Sequence, residues 1–533
     1  MTHESTLQQF ISQHVARVEP MIRKAALANW EMQITSSEEA KNRATELIAQ
    51  LVKSYANAEE FALLKSLPAE SIQAPLLARQ HKLLHNAYLA SQMEPAIIEE
   101  IVGLEVEIED TFNTHRATVQ GNPVSDNEME DTLQNSQDVA LRRETWEASK
   151  TVGAVIEERV RRLVLLRNRE ARKLGFDNYY SMQLTLQEIE EERLFALLDD
   201  LYRQSKPLWT AYRNDLDAQL ATRFQTTPDA IRPWHHANSF FQASEPGEVN
   251  LDPLFADKDL EAITAEFFTT IGLPIDDLLQ IADLYERPGK CQHAFCLSID
   301  KEGDVRVLCN NRPNERWMST MLHEFGHAVY DKFCDPNLPY LLREPAHTMT
   351  TEAIALFMGR LTKDPVWLCR YAGVAPEAAE PIGKAAQREL RDSLLVFMHW
   401  CFVMANFERA LYRDPNQDLT ALWWEMVEKY QKVVCPPEDR PPHSWAAKIH
   451  LATSPVYYHN YLLGEMLASQ LLHYIQKTVL AGEGAEALIS SPKVGEYMRE
   501  SLFYPGALRP WEEWLENATG EPLRPSYFAA QLT

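Results

Sequence analysis

A chain of 533 residues with 45% apolar and 24% charged residues has ample material for a large core. Its net charge of −25, from 52 basic and 77 acidic side chains, repels nucleic acid and anionic membrane surfaces and suits cationic peptides better. With only 18 glycines, no internal repeat and no Ser/Gly linker, the sequence reads as one mostly helical domain over residues 1–533.

The N-terminal stretch MTHESTLQQFISQHVARVEP lacks the basic and apolar regions of a signal peptide, and no run reaches the roughly 18 uninterrupted apolar residues of a membrane span. Seven cysteines, scattered from Cys291 to Cys435 without a CxxC pair, fit a reducing compartment, so a cytoplasmic location is expected. SEEAKNRATELIAQLVKSY and PAIIEEIVGLEVEIEDTF place apolar residues at three- and four-residue spacing, which predicts long amphipathic helices over the first 125 residues. A polar break at 121–131 precedes a further helix whose C-cap is Gly175, and another runs from about Ile189 to Phe224. Pro228 and Pro233 mark a loop.

The β signal is confined to Ala294–Asn310, where AFCLSI and VRVLC flank the turn DKEGD and predict one hairpin. Helical periodicity resumes at Asn314 and is broken by proline-containing loops at 336–345 and 436–442. The catalytic candidates fall in residues 290–533, and the N-terminal helices are expected to wall or cover a cleft.

His323-Glu324-Phe325-Gly326-His327 lies in one such helix. Residues four apart stand one turn above each other, so both imidazoles point the same way, and the intervening glutamate is placed to take a proton from water. Met321, Leu322, Phe325, Ala328 and Val329 make the helix largely apolar, so two histidines there need a partner. A catalytic zinc requires a third ligand. Asp331 is two turns from His323, too far to share one ion, and Tyr330 and Phe333 exclude the extended HExxHxxGxxH pattern. Glu352 is the better candidate. The chain turns back through DPNLPYLLREP into TTEAIALFMGRL, a helix so apolar that an ionised carboxylate on it calls for a cation. Glu344, in the connecting loop, is the fallback.

HEFGH followed by TEAIALFMGRL resembles the angiotensin-converting-enzyme family of gluzincin peptidyl-dipeptidases and, more distantly, the thimet oligopeptidases. ANWEMQITS, KCQHAFCLSID, WWEMVEKYQKVVCPP and KIHLATSPVYYHNYLLGEM extend the likeness over most of the chain. The resemblance implies a large two-lobed helical metallopeptidase with a deep central cleft and one zinc ion per chain held by His323, His327 and Glu352. It implies catalysis by Glu324, with Tyr461 and His450 stabilising the oxyanion. Lys448, Tyr458 and His236 would hold a substrate's C-terminal carboxylate, and His293 and the backbone of Ala294 would bind its main chain. Val427 and Asn460 stand where chloride-binding arginines occur in animal members, so chloride is not expected to be required. Leu356 and Thr351 replace an aspartate and a histidine that commonly flank the third ligand, and Gln292 and Asn310 stand where secreted members carry a disulfide.

The function so implied is release of C-terminal dipeptides from short peptides. The alternatives are an endo-acting oligopeptidase of thimet type and, opposed by intact Glu324 and Tyr461, an inactive zinc-containing peptide-binding protein.

Overall fold

A computed structural model describes residues 2–245, 247, 249–436 and 443–533. The expected loop at 436–442 lies outside the described residues from 437 onward.

The chain divides into two compact units that do not follow its sequence order. The first comprises Met1–Gln92, Val249–Gln387 and Leu463–Tyr527; the second comprises Met93–Glu248, Arg388–Leu462 and Phe528–Thr533. Both are built mainly of helices.

In the first unit, helix α1 (His3–Thr35) begins where the Thr2 hydroxyl accepts from the Ser5 amide, and it ends at Ser36 in the left-handed region. Helix α2 (Glu38–Tyr55) starts at once, capped by Ser37, with Glu38 and Glu39 placed against the positive end of its dipole. The two helices pack side by side. The hairpin forms where the sequence predicts it, with one strand at Phe295–Ser298 and its antiparallel partner at Val305–Leu308, in the register Cys296 opposite Val307. Asp300 closes its turn by accepting from the amides of Glu302 and Asp304, and Gly303 takes a positive φ there. Trp30 of α1 meets Phe295 edge-on, 6.0 Å between ring centres, which ties the N-terminal helix to the first strand.

Helix α3 (Glu315–Lys332) is capped by the Asn314 side chain and buries Met318, Met321, Leu322, Phe325, Ala328 and Val329. Helix α4 (Thr348–Gly359) is capped by His347 and buries Met349, Ala353, Ile354, Ala355, Phe357 and Met358. They approach closely at Gly326, where a β-carbon would lie only 3.0 Å from the Ala355 α-carbon. A second contact joins them a turn away, the Ser319 hydroxyl donating to the Gly359 carbonyl at 2.9 Å.

The second unit holds a feature the sequence reading lacks. Two three-residue strands, Ala117–Val119 and Asn122–Val124, form a second antiparallel pair at the polar break, so the described residues hold two small sheets rather than one. With Pro123 inside and only three residues each, these strands carry no alternating signal long enough to read. The long helix Glu191–Arg223 matches its expected span closely, and Gly175 takes φ +94° just after the helix Thr151–Lys173. Arg142, fully buried, pins the 233–239 loop by donating to the carbonyls of Trp234 at 2.8 Å and His236 at 3.0 Å. Among the described residues of the whole chain one helix, Pro376–Arg413, is long and apolar enough to cross a membrane by length and composition, but 72% of its most apolar window is buried inside the protein, as in a core helix.

The tight contact at Gly326 sets a direct test. In Gly326→Ala the new methyl must push α4 away from α3, at a cost of about 1–3 kcal/mol. The variant should melt several degrees lower and bind zinc more weakly than the parent, as read by calorimetry and chelator competition. Unchanged zinc affinity would show that the contact does not position the ligands.

Candidate metal centre

His323 and His327 lie on the face of α3 turned toward α4, with ring centres 5.0 Å apart. Glu352, in the first half of α4, faces both. Its two carboxylate oxygens stand 3.9 Å from His323 Nε2 and 3.4 Å from His327 Nε2. One donor atom from each residue falls within 4.8 Å of the others. Atoms each about 2 Å from a shared ion lie some 3–4 Å apart in tetrahedral geometry, so the three residues fit one zinc. Glu344 is not part of this group, because Lys301 forms an ion pair with it.

Partners behind the ligands fix the ring orientations. His327 Nδ1 donates to the Thr351 hydroxyl at 2.8 Å, which leaves Nε2 turned to Glu352. The His323 ring donates to the Ala355 backbone carbonyl. Thus Thr351, conspicuous in the sequence only as a replacement, orients one ligand, and a main-chain carbonyl orients the other despite Leu356. Gly464 packs beside Glu352, whose γ-carbon lies 3.6 Å from where a β-carbon would stand.

The electrostatics are those of a site made for a cation. Burial pulls the His323 imidazole down to about 4. Burial also opposes charge on His327, but the neighbouring Glu352 outweighs it and raises the imidazole. Glu352 itself resists burial and is held below the usual carboxylate range, chiefly by His327. Glu324 has no such direct partner, and burial pushes its carboxyl up to about 7.

Glu324 and His327 line a cavity of about 760 Å³. Its walls come from α1 (Ile22, Ala25), α2 (Ile48, Leu51), the first hairpin strand with Ala294, and the 343–351 segment. The N-terminal helices therefore wall the site within the first unit. His293 is exposed beside this wall and Ala294 is on it.

The remaining candidates lie in the second unit. Tyr461 meets Tyr458, Tyr457 and Phe397, with ring centres 5.5, 5.2 and 5.5 Å away. His450 is 5.5 Å from Tyr458, and burial followed by Lys448 lowers its imidazole to about 4. Tyr458 is buried. Lys448 donates to Gln242 Oε1 at 2.8 Å and lies against Phe240 and Trp400. Both Lys448 and Gln242 line a cavity of about 210 Å³. His236 is elsewhere: its buried ring packs on Phe241 in a separate small cavity with Trp209 and Arg213. The side chain beside Lys448 is therefore Gln242, six positions later in the same loop, a register that the repeated aromatic residues of PWHHANSFFQ hide. Sequence reasoning also passes over Lys150, which is buried, donates to the Ser239 carbonyl at 2.8 Å and lies 3.4 Å from the Phe240 ring centre. Val427 is buried, and Asn460 donates to Gln187 at 3.0 Å.

A helical body carrying His323, His327 and Glu352 in this arrangement has the gluzincin-type metallopeptidase fold, with a His-His-Glu cluster able to hold a metal ion. Comparison with known families agrees. Residues 280–533 match the profile of "Peptidase family M3", and residues 1–232 match the profile described as "Angiotensin-converting enzyme". The chain is also similar to the angiotensin-converting enzyme-like protein Ace3 of Mus musculus. They are 24% identical over 268 residues, which make up 48% of this chain and 36% of that protein.

Two expectations follow from the site. Thr351→Val removes the acceptor that orients His327 and should weaken zinc binding about 10–100-fold, whereas Thr351→Ser should keep it; competition with a chromophoric chelator measures both. Zinc binding should also release protons. Below pH 7 the metal-free Glu324, with its pKa near 7, is mostly protonated, and His327 holds its proton above the ordinary imidazole range. A dication favours the carboxylate and requires the neutral imidazole. Release, measured calorimetrically in buffers of different ionisation enthalpy, should be larger at pH 6 than at pH 8. A pH-independent count would contradict the assignment.

Proposed function

We propose that the protein hydrolyses short peptides as an endo-acting zinc oligopeptidase. The observation that carries this reading is a single cavity in which Glu324 and His327 share a wall with the hairpin strand at Ala294–Ser298. His323, His327 and Glu352 would hold a zinc ion, which when bound would polarise a carbonyl and acidify water. Glu324 takes the proton of the attacking water and passes it to the leaving amine. An extended peptide main chain pairs with the strand next to Ala294.

The choice of internal cleavage is supported by the match of the whole catalytic half to peptidase family M3. It is also supported by Lys448, whose ammonium already has a hydrogen-bond partner in Gln242 and is lowered by burial to about 8. Release of C-terminal dipeptides is the second reading. It is favoured by the placing of Lys448 and Gln242 together on a cavity wall, where an ammonium and an amide could receive a terminal carboxylate.

Mass spectrometry of products from matched peptides with free and amidated C-termini separates the two. The zinc-loaded protein should cut both forms at comparable rates and at bonds of varying distance from the end, and Glu324→Gln should abolish turnover while retaining zinc. Successive dipeptides from the free acid alone, with the acid-to-amide gap narrowed by Lys448→Ala, would establish the dipeptidase reading instead. Peptide binding without any cleavage would leave a binding protein.

A further inference from the structure

One acid in the catalytic cavity is used neither by the metal nor by proton transfer. Asp331 stands one turn beyond His327 on α3 and lines the same cavity wall. The other fixed charges around it are engaged. Lys301 is paired with Glu344 and lies 4.9 Å over the Tyr340 ring. Arg343 pairs with Glu302 at 2.6 Å and donates to the Leu338 carbonyl at 2.8 Å. Among the described residues Asp331 has no hydrogen bond and no ion pair of its own. Burial pushes its carboxyl up to about 7, with His327 and Lys301 pulling it down and Glu344 pushing it further up. An acid left unpaired in a largely enclosed place is costly to fold unless something binds it. The same cavity is walled by Ile22, Ala25, Ile48 and Leu51, an apolar surface that would suit the methylene stem of a long side chain.

We propose that Asp331 is a specificity-determining residue that takes the ammonium or guanidinium of a substrate lysine or arginine close to the scissile bond. The apolar faces of α1 and α2 cover the stem of that side chain while Asp331 meets its charged head. The inference rests on the peptidase reading for the position of the peptide, but its test does not depend on turnover. A free α-amino group offers the same charge without the stem, so the two sources are separable.

The probes are short peptides carrying lysine, arginine, norleucine or glutamate at positions flanking the cut bond, each with a free and an acetylated N-terminus. Binding is measured calorimetrically on zinc-loaded Glu324→Gln, and kcat/KM on the parent. Lysine and arginine peptides should bind at least about tenfold more tightly than norleucine peptides, the discrimination of a charge-assisted hydrogen bond. That ratio should fall close to one in Asp331→Asn, persist in Asp331→Glu, and turn toward glutamate in Asp331→Lys. Variants are compared at equal zinc content and with matching circular dichroism. A parent protein that does not distinguish lysine from norleucine overturns the proposal, whatever the variants do. So does a folded Asp331→Asn that keeps the preference, or an Asp331-dependent affinity that is equal for lysine and norleucine peptides and is lost from both on acetylation, which would assign the cation to the peptide's N-terminus. Absence of turnover with the binding ratios intact would reject the peptidase reading and leave the Asp331 subsite standing.

Discussion

The metal centre depends on how closely two helices can approach. The α3 and α4 backbones meet at Gly326, where any side chain would press on the Ala355 main chain. That approach brings the Ala355 carbonyl within reach of the His323 ring, the Thr351 hydroxyl within reach of His327, and Glu352 between the two Nε2 atoms. All three interactions come from one turn and a half of α4. A shift of α4 by an ångström would therefore loosen every one of them together, since ligand bonds and hydrogen bonds are both short-ranged.

The same closeness concentrates charge. Glu324, Asp331 and Glu352 lie on or beside one wall, largely out of water, and such carboxylates repel each other more strongly than they would at a surface. The protein meets this in two ways. Glu352 is held ionised by His327, with Arg360 contributing from behind, where it pairs with Glu465. Glu324 and Asp331 are instead driven toward neutrality by burial. A dication at the histidines would draw Glu324 back to its charged form, which is the form a general base needs. Metal binding and the ionisation of Glu324 are thus electrostatically coupled.

Much of this was legible in the sequence, and the exceptions have physical causes. The HExxH spacing, the apolar helix bearing Glu352 and the alternation around DKEGD all rest on local periodicity, and helix and strand geometry turn periodicity directly into position. The orienting partners were not legible. One is a backbone carbonyl, which no residue type advertises, and the other is Thr351, whose role exists only because α4 returns to α3 at a particular height. That Gln242 rather than His236 stands beside Lys448 was not legible either, because the loop holding both has no periodicity to fix its register. The strands around Gly121 are too short to carry a pattern, and the two compact units draw on chain segments that alternate in sequence, an order no composition shift marks.

That alternation has a consequence for how the site is built. Residues as far apart as Ile22, Leu51, Ala294, His327 and Thr351 line one cavity inside the first unit. The N-terminal helices reach it through Trp30, which packs on Phe295 and, with Ile299 and Leu308, forms a small core under the hairpin. The first hairpin strand is therefore held by both α3 and α1. Closing so long a loop of chain is entropically costly, though the cost grows only slowly with length. The return is a cavity whose walls and metal-ligand helix are positioned by packing within one unit rather than by a mobile loop.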